Sequence, residues 1–192
     1  MSDQYHFITR WRVKASAEDV FDILSQPLEY PRWWPSVYLE ATPASNTGSF
    51  QLHTRGRLPY TLRWTARTTV SESPNFLTIE ATGDLTGRGI WSIVPDGKFT
   101  DISFDWKVSA LKPIIRRLTF LLRPAFEANH RWAMEQGFAS LELELRRYRA
   151  LNVEESNAIP APPAVPHFFT RESLAEAALA MLLIAGVARS GV

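Results

Sequence analysis

The chain has 192 residues, 45% of them hydrophobic and 12% aromatic, which suits one domain with room for an appendage. A formal net charge of +1 argues against a broad nucleic-acid footprint, and zero cysteines exclude disulfides, thiolate metal sites and cysteine nucleophiles. The histidines at 6, 53, 130 and 167 form no HxH or HxxxH pair, so neither a metal nor an organic cofactor is expected. The opening "MSDQYHFITRW" has no basic or apolar signal-peptide region, so a cytoplasmic location is expected.

Residues 5–14 alternate, with Tyr5, Phe7, Trp11 and Val13 on one face, which predicts a half-buried strand. "SAEDVFDIL" follows as a helix with Ser16 at its N-cap and Glu18 and Asp19 in the first turn. "EYPRWWPSV" (29–37) then sets Trp33 and Trp34 between Pro31 and Pro35 and reads as an aromatic loop. Strands are expected at 37–42, 49–57, 60–70, 76–84, 89–94 and 99–110. "SESPN" and "PDGK" are turns, and the glycine-rich "GDLTGRG" (83–89) reads as a connection. Short links between successive strands predict an antiparallel sheet. Trp64 and Trp106 share faces with apolar residues, whereas the glycines leave the register of Trp91 open.

Two helices are expected next, 113–122 with Pro113 in its first turn, and 124–151. The longer one carries an apolar stripe of Phe126, His130, Met134, Phe138, Leu141, Leu145 and Tyr148. The chain divides into a domain over 1–151, a Pro/Ala-rich linker over 152–169 and an apolar helix over 170–192. The apolar run of that last helix, Ala177–Ala188, is 12 residues, short of the roughly 20 a membrane span needs, so docking, a partner contact or a peripheral membrane contact is expected.

The order of elements, with "RWRVKASAEDVFDIL", "YPRWWPSV", "GRGIWSI" and "RPAFEANHRWAMEQG", resembles the START-like helix-grip (SRPBCC) superfamily over about residues 3–150. Within it, the polyketide cyclase/dehydrase and lipid transport group is the most similar. The resemblance implies an α+β helix-grip fold. About seven antiparallel strands would curve around a long C-terminal helix, with two short helices after the first strand. It also implies a hydrophobic ligand, since the superfamily binds sterols, lipids, polyketides and plant hormones, and only some members catalyse.

The ligand contacts expected are Trp33, Trp34, Tyr38, Tyr60, Trp64, Trp91, Trp106, His130 and Met134. For Trp33 and Trp34 the alternatives are a plug between helix and sheet or a cavity mouth. For His130 they are a core imidazole, a ligand anchor or an acid–base group. Asn129 and Glu127 share its turn but should point elsewhere. Gly137, inside the helix, implies close approach of a neighbour. Arg55, Arg57, Arg63 and Arg67 read as a solvated face, or as a contact for anionic headgroups. Three functions follow. The first is a non-enzymatic carrier or sensor of a lipid, isoprenoid or polyketide. The second is a polyketide cyclase or dehydratase using His130 with Tyr60 or Tyr38. The third is an interaction scaffold. A monomer or a homodimer, the latter through residues 113–122 or the tail, suits each.

Overall fold

Alternating side chains and short turns produce a single seven-stranded antiparallel sheet, seen in a computed structural model that describes residues 4–45, 48–58, 60–110 and 113–164, apart from the side chains of 110–123. The strands are β1 (Gln4–Val13), β2 (Tyr38–Pro43), β3 (Ser49–Arg55), β4 (Thr61–Glu72), β5 (Phe76–Gly83), β6 (Leu85–Asp96) and β7 (Phe99–Ala110). Their spatial order is β1-β7-β6-β5-β4-β3-β2, so β1 and β2 are the edges. Helices α1 (Ala17–Leu24) and α2 (Tyr30–Trp33) follow β1, and α3 (Pro113–Tyr148) and α4 (Val153–Asn157) end the described chain. This is the α+β helix-grip architecture, with α3 lying in the curve of the sheet.

Local chemistry accounts for several boundaries. Ser16 Oγ accepts from Asp19 N at 3.1 Å, which satisfies an otherwise orphaned donor at the start of α1. Pro31 sits in the first turn of α2, where a missing N–H costs nothing. The expected loop is therefore a 3₁₀ turn (Pro27–Glu29) running into a one-turn helix. The inward sheet face is built from Tyr5, Trp11 and Val13 on β1 and from Ile102, Phe104, Trp106 and Val108 on β7, all buried.

Three expectations are corrected. The connection between β5 and β6 is confined to Asp84, between Gly83 at the end of β5 and Leu85 at the start of β6, and 85–89 belong to β6. Gly83 has φ +112°, and Asp84 ties the turn to β4: its N–H donates to Arg63 O, and its Oδ2 accepts from Arg63 N at 2.9 Å. Gly89 lies in the strand because a Cβ there would stand 2.8 Å from the rings of both Phe104 and Trp106. The two helices expected over 113–122 and 124–151 are one helix that runs through Pro124. Residues 153–157, expected as linker, form α4, capped by Asn152 Oδ1 accepting from Glu155 N at 2.8 Å. The final helix expected over 170–192 and the side chains of 113–122 lie outside the described residues.

One end of the grip is solid. Val13, Val20, Ile93 and Leu141 are at most 2% exposed there. Helix α3 is tied across it by Glu144, a buried carboxylate that accepts from Arg32 Nη2 at 2.6 Å and Nη1 at 3.0 Å. Tyr148, expected on the apolar stripe, is half exposed and donates its phenol to Asp22 at 2.7 Å.

Candidate functional site

At the opposite end the sheet and α3 diverge around a cavity of about 190 Å³. Its floor is a run of aromatic rings across β4, β6 and β7, which Trp11 on β1 continues beyond the lining. Trp11 lies 5.4 Å from Trp91, which stacks on Phe104 at 4.1 Å. Phe104 stacks on Trp106 at 5.5 Å, and Trp106 lies 6.0 Å from Trp64. The register explains the row. Trp91 pairs with Phe104 and Gly89 with Trp106, so the glycine vacates the volume that the rings fill. Trp91, left open by the sequence, points inward and is 4% exposed. Trp64 Nε1 donates to Thr54 Oγ1 at 3.0 Å, so this indole is satisfied inside the protein.

The roof comes from the α2 segment. Tyr30, Trp33, Trp34 and Tyr38 form one aromatic cluster, with centroid distances from 4.8 to 6.3 Å. Both tryptophans are buried, at 1% and 2% exposure, but only Trp34 borders the cavity. Trp33 is packed in the core behind it, a correction to its place in the expected contact set. Trp34 also answers the question of Gly137: a Cβ there would lie 2.2 Å from Trp34 Cζ2, so the helix interior is glycine to admit the indole. The other expected contacts, Tyr38, Tyr60, Trp64, Trp91, Trp106, His130 and Met134, all border the cavity.

His130 forms part of the wall between the cavity and the groove beside β1, since it borders both. It stacks on Phe7 with centroids 4.1 Å apart, and its Nε2 lies 3.4 Å from Thr9 Oγ1. Burial lowers its pKa to about 4, so the imidazole is neutral at pH 7. Burial also raises the phenols, Tyr60 to about 12 and those of Tyr38 and Tyr30 well above their usual range. The imidazole of His130 and the phenols of Tyr60, Tyr38 and Tyr30 are therefore neutral hydrogen-bonding groups at the cavity, and Arg55 is the charged residue beside them.

Sequence reasoning missed three groups. Asn129, expected to point away, borders the cavity, and its Oδ1 accepts from Arg57 N at 2.7 Å and Leu58 N at 3.3 Å, latching the β3–β4 loop to α3. The helical spacing 126, 129, 130, 133 carries that signal. Arg55, expected on a solvated face, is half-buried beside the cavity, whereas Arg57, Arg63 and Arg67 are exposed. Tyr5 was assigned to the inner face but not to the site. Its hydroxyl and Trp34 Nε1 are buried with no hydrogen-bond partner, although both residues border the cavity. Among the described residues, no three His, Asp or Glu side chains converge as metal ligands. No described helix is long and apolar enough to cross a membrane.

Comparison with solved structures returns the same fold. The Zhui aromatase/cyclase from a Streptomyces species superposes with a TM-score of 0.61 at 17% identity, over 77% of this chain and 97% of that one. A Thermus thermophilus protein also gives 0.61, at 14% identity over 76% and 100% of the two chains. A START superfamily protein from Mycobacterium smegmatis gives 0.50, at 19% identity over 67% and 97%. Similarity at these identities establishes the architecture alone. Comparison with curated proteins found no match. The model of the polyketide cyclase/dehydrase and lipid transport family matches residues 6–146, and the chain belongs to that family.

Proposed function

We propose that this protein binds an amphipathic small molecule of the lipid, isoprenoid or polyketide class in the sheet–helix cavity, as a carrier or sensor. The observation that carries this reading is an apolar, aromatic-floored cavity bordered by two residues with unpartnered buried donors, Tyr5 OH and Trp34 Nε1. A buried donor without an acceptor costs about 1–3 kcal/mol, and an oxygen on a bound ligand would recover it. The volume supports a small buried moiety. About 190 Å³ exceeds the roughly 150 Å³ that admits benzene in an engineered cavity, and falls below the roughly 300 Å³ at which drug-sized sites begin. One or two rings fit inside, and a longer ligand extends past Arg55 and Asn129. Native mass spectrometry of the purified protein, with identification of extracted molecules, tests this. A stoichiometric oxygen-bearing apolar adduct is expected. An empty protein that also binds no apolar fluorescent probe overturns it.

His130 motivates a second reading, a cyclase or dehydratase working in the same cavity. An imidazole with a pKa near 4 is a weak base, and the raised Tyr60 and Tyr38 phenols are donors. Those values favour orienting a carbonyl over abstracting a proton. A His130→Ala variant that keeps turnover and product profile on a poly-ketone substrate removes the catalytic role of this residue.

A further inference from the structure

At about 190 Å³ the cavity lies below the roughly 300 Å³ at which drug-sized sites begin, so most of a lipid, isoprenoid or polyketide must lie outside it. A second space of about 630 Å³ stands directly behind one of its walls, in the groove between the edge strand β1 and helix α3. Phe7, His130 and Met134 border both spaces, so the partition is a single layer of side chains. On its other side the groove continues over the apolar Ile8, Trp11 and Phe138. The exposed Arg10, Arg131 and Glu135 also border it.

The walls of the cavity differ in what holds them. The floor is one hydrogen-bonded sheet, and the roof is keyed into α3 by Trp34 at Gly137. At the β3–β4 loop, Asn129 Oδ1 accepts from the amides of Arg57 and Leu58 at 2.7 and 3.3 Å. The partition at β1 is held by ring contact. Phe7 stacks on His130 at 4.1 Å, and His130 Nε2 lies 3.4 Å from Thr9 Oγ1, beyond the usual hydrogen-bond range. A chain that parts the β3–β4 latch breaks two hydrogen bonds to backbone amides. A chain that slides between Phe7 and His130 exchanges one non-directional apolar contact for another.

We propose that Phe7 and His130 form a gate, and that the apolar tail of the cavity's ligand passes between them into the β1–α3 groove. The gate presupposes the cavity ligand proposed above and fixes its direction. The oxygen-bearing end stays at the unpartnered Tyr5 hydroxyl, whose ring lies 5.8 Å from that of Phe7, or faces Arg55 and Asn129. The tail leaves at β1, where the lining is apolar. The ligand class is thus an oxygenated head of one or two rings with a hydrocarbon chain attached.

Two photoreactive methyl ketones locate the tail. One is 2-heptanone and the other 2-tridecanone, each with a diazirine at the end of its chain and a carbonyl oxygen for the unpartnered donors. In the irradiated full-length protein the short probe should label residues that border the cavity but not the groove, such as Leu62 or Ile79. The long probe should label Ile8, Arg10, Glu135 or Phe138, which border the groove but not the cavity. An excess of unmodified 2-heptanone should abolish that labelling, because the tail reaches the groove only from a head seated in the cavity. Groove labelling that survives the competitor makes the groove a separate surface site and overturns the gate. Long-probe labels confined to the cavity, or moved to Arg55, Gly56, Arg57 and Leu58, overturn the gate and leave the cavity reading standing. Failure of both probes to label the cavity overturns that reading and the gate with it. A plug gives a second measurement. Each methylene drawn out of water is worth about fourfold in affinity, so Glu135→Trp, at an exposed position on α3, should weaken 2-tridecanone by roughly tenfold or more and leave 2-heptanone unchanged. Equal affinity of variant and parent for 2-tridecanone overturns the tail's place in the groove.

Discussion

At His130, burial and stability are linked through pH. The folded imidazole has a pKa near 4, against an ordinary value of 6.5, so between those limits the unfolded chain binds more protons. Stability present above pH 6.5 is therefore lost as the pH falls toward 4, by roughly 3 kcal/mol at full protonation. His130→Phe, which keeps a ring against Phe7, should flatten the decline in melting temperature across that window. Equal slopes in variant and parent would show that the imidazole is not held neutral by burial. Tyr5 sets up the opposite trade. Its hydroxyl is buried and unpartnered, so Tyr5→Phe should leave the empty protein unchanged or up to about 1 kcal/mol more stable, while weakening the natural ligand by severalfold. Weaker folding with unchanged affinity, measured by denaturant titration and probe displacement, would remove Tyr5 from the site.

Helix α3 is positioned as a unit by what its neighbours insert into it. Trp34 fills the place of a side chain at Gly137, Glu144 holds Arg32, and Asn129 latches the β3–β4 loop. In a free helix Gly→Ala would add about 1 kcal/mol of stability. Here a Cβ would collide with an indole ring at 2.2 Å, so Gly137→Ala should destabilise by about 1–3 kcal/mol and shift the cavity roof. Chemical denaturation and tryptophan fluorescence check both effects, and a stabilised variant would contradict the packing. The strand elements show the same logic at Gly89, where two ring edges from β7 take the space that another residue would use.

Across the whole molecule, the grip is filled at one end and hollow at the other, so folding energy and binding energy are spatially separated. A ligand at 100 times its dissociation constant adds about 2.7 kcal/mol, which in a domain this large raises the melting temperature by about 5–10 °C. Organic extraction of the purified protein should lower the melting temperature by an amount of that order, and adding back the extracted molecule should restore it. An unchanged melting temperature, with a co-purified molecule identified, would place that molecule outside the cavity.

Periodicity alone determined much of this protein. Alternation set the inner faces of β1, β4 and β7, the Ser16 cap marked α1, and the helix grip itself was implied by the resemblance of the element order to a known superfamily. Those features are local, because a side chain's face follows from its neighbours two or four residues away. What tertiary structure decided lies where two distant segments compete for one volume. Gly89 of β6 read as part of a loop because the rings of Phe104 and Trp106 that take the place of its side chain are on another strand. Pro124 read as a helix break, yet the helix runs through it. Trp33 and Trp34 are adjacent and alike in sequence, and only the approach of α3 at Gly137 separates the one in the core from the one at the cavity. Chain order could place a cavity between sheet and helix, but its volume and its unpaired donors depend on side-chain packing across the whole fold.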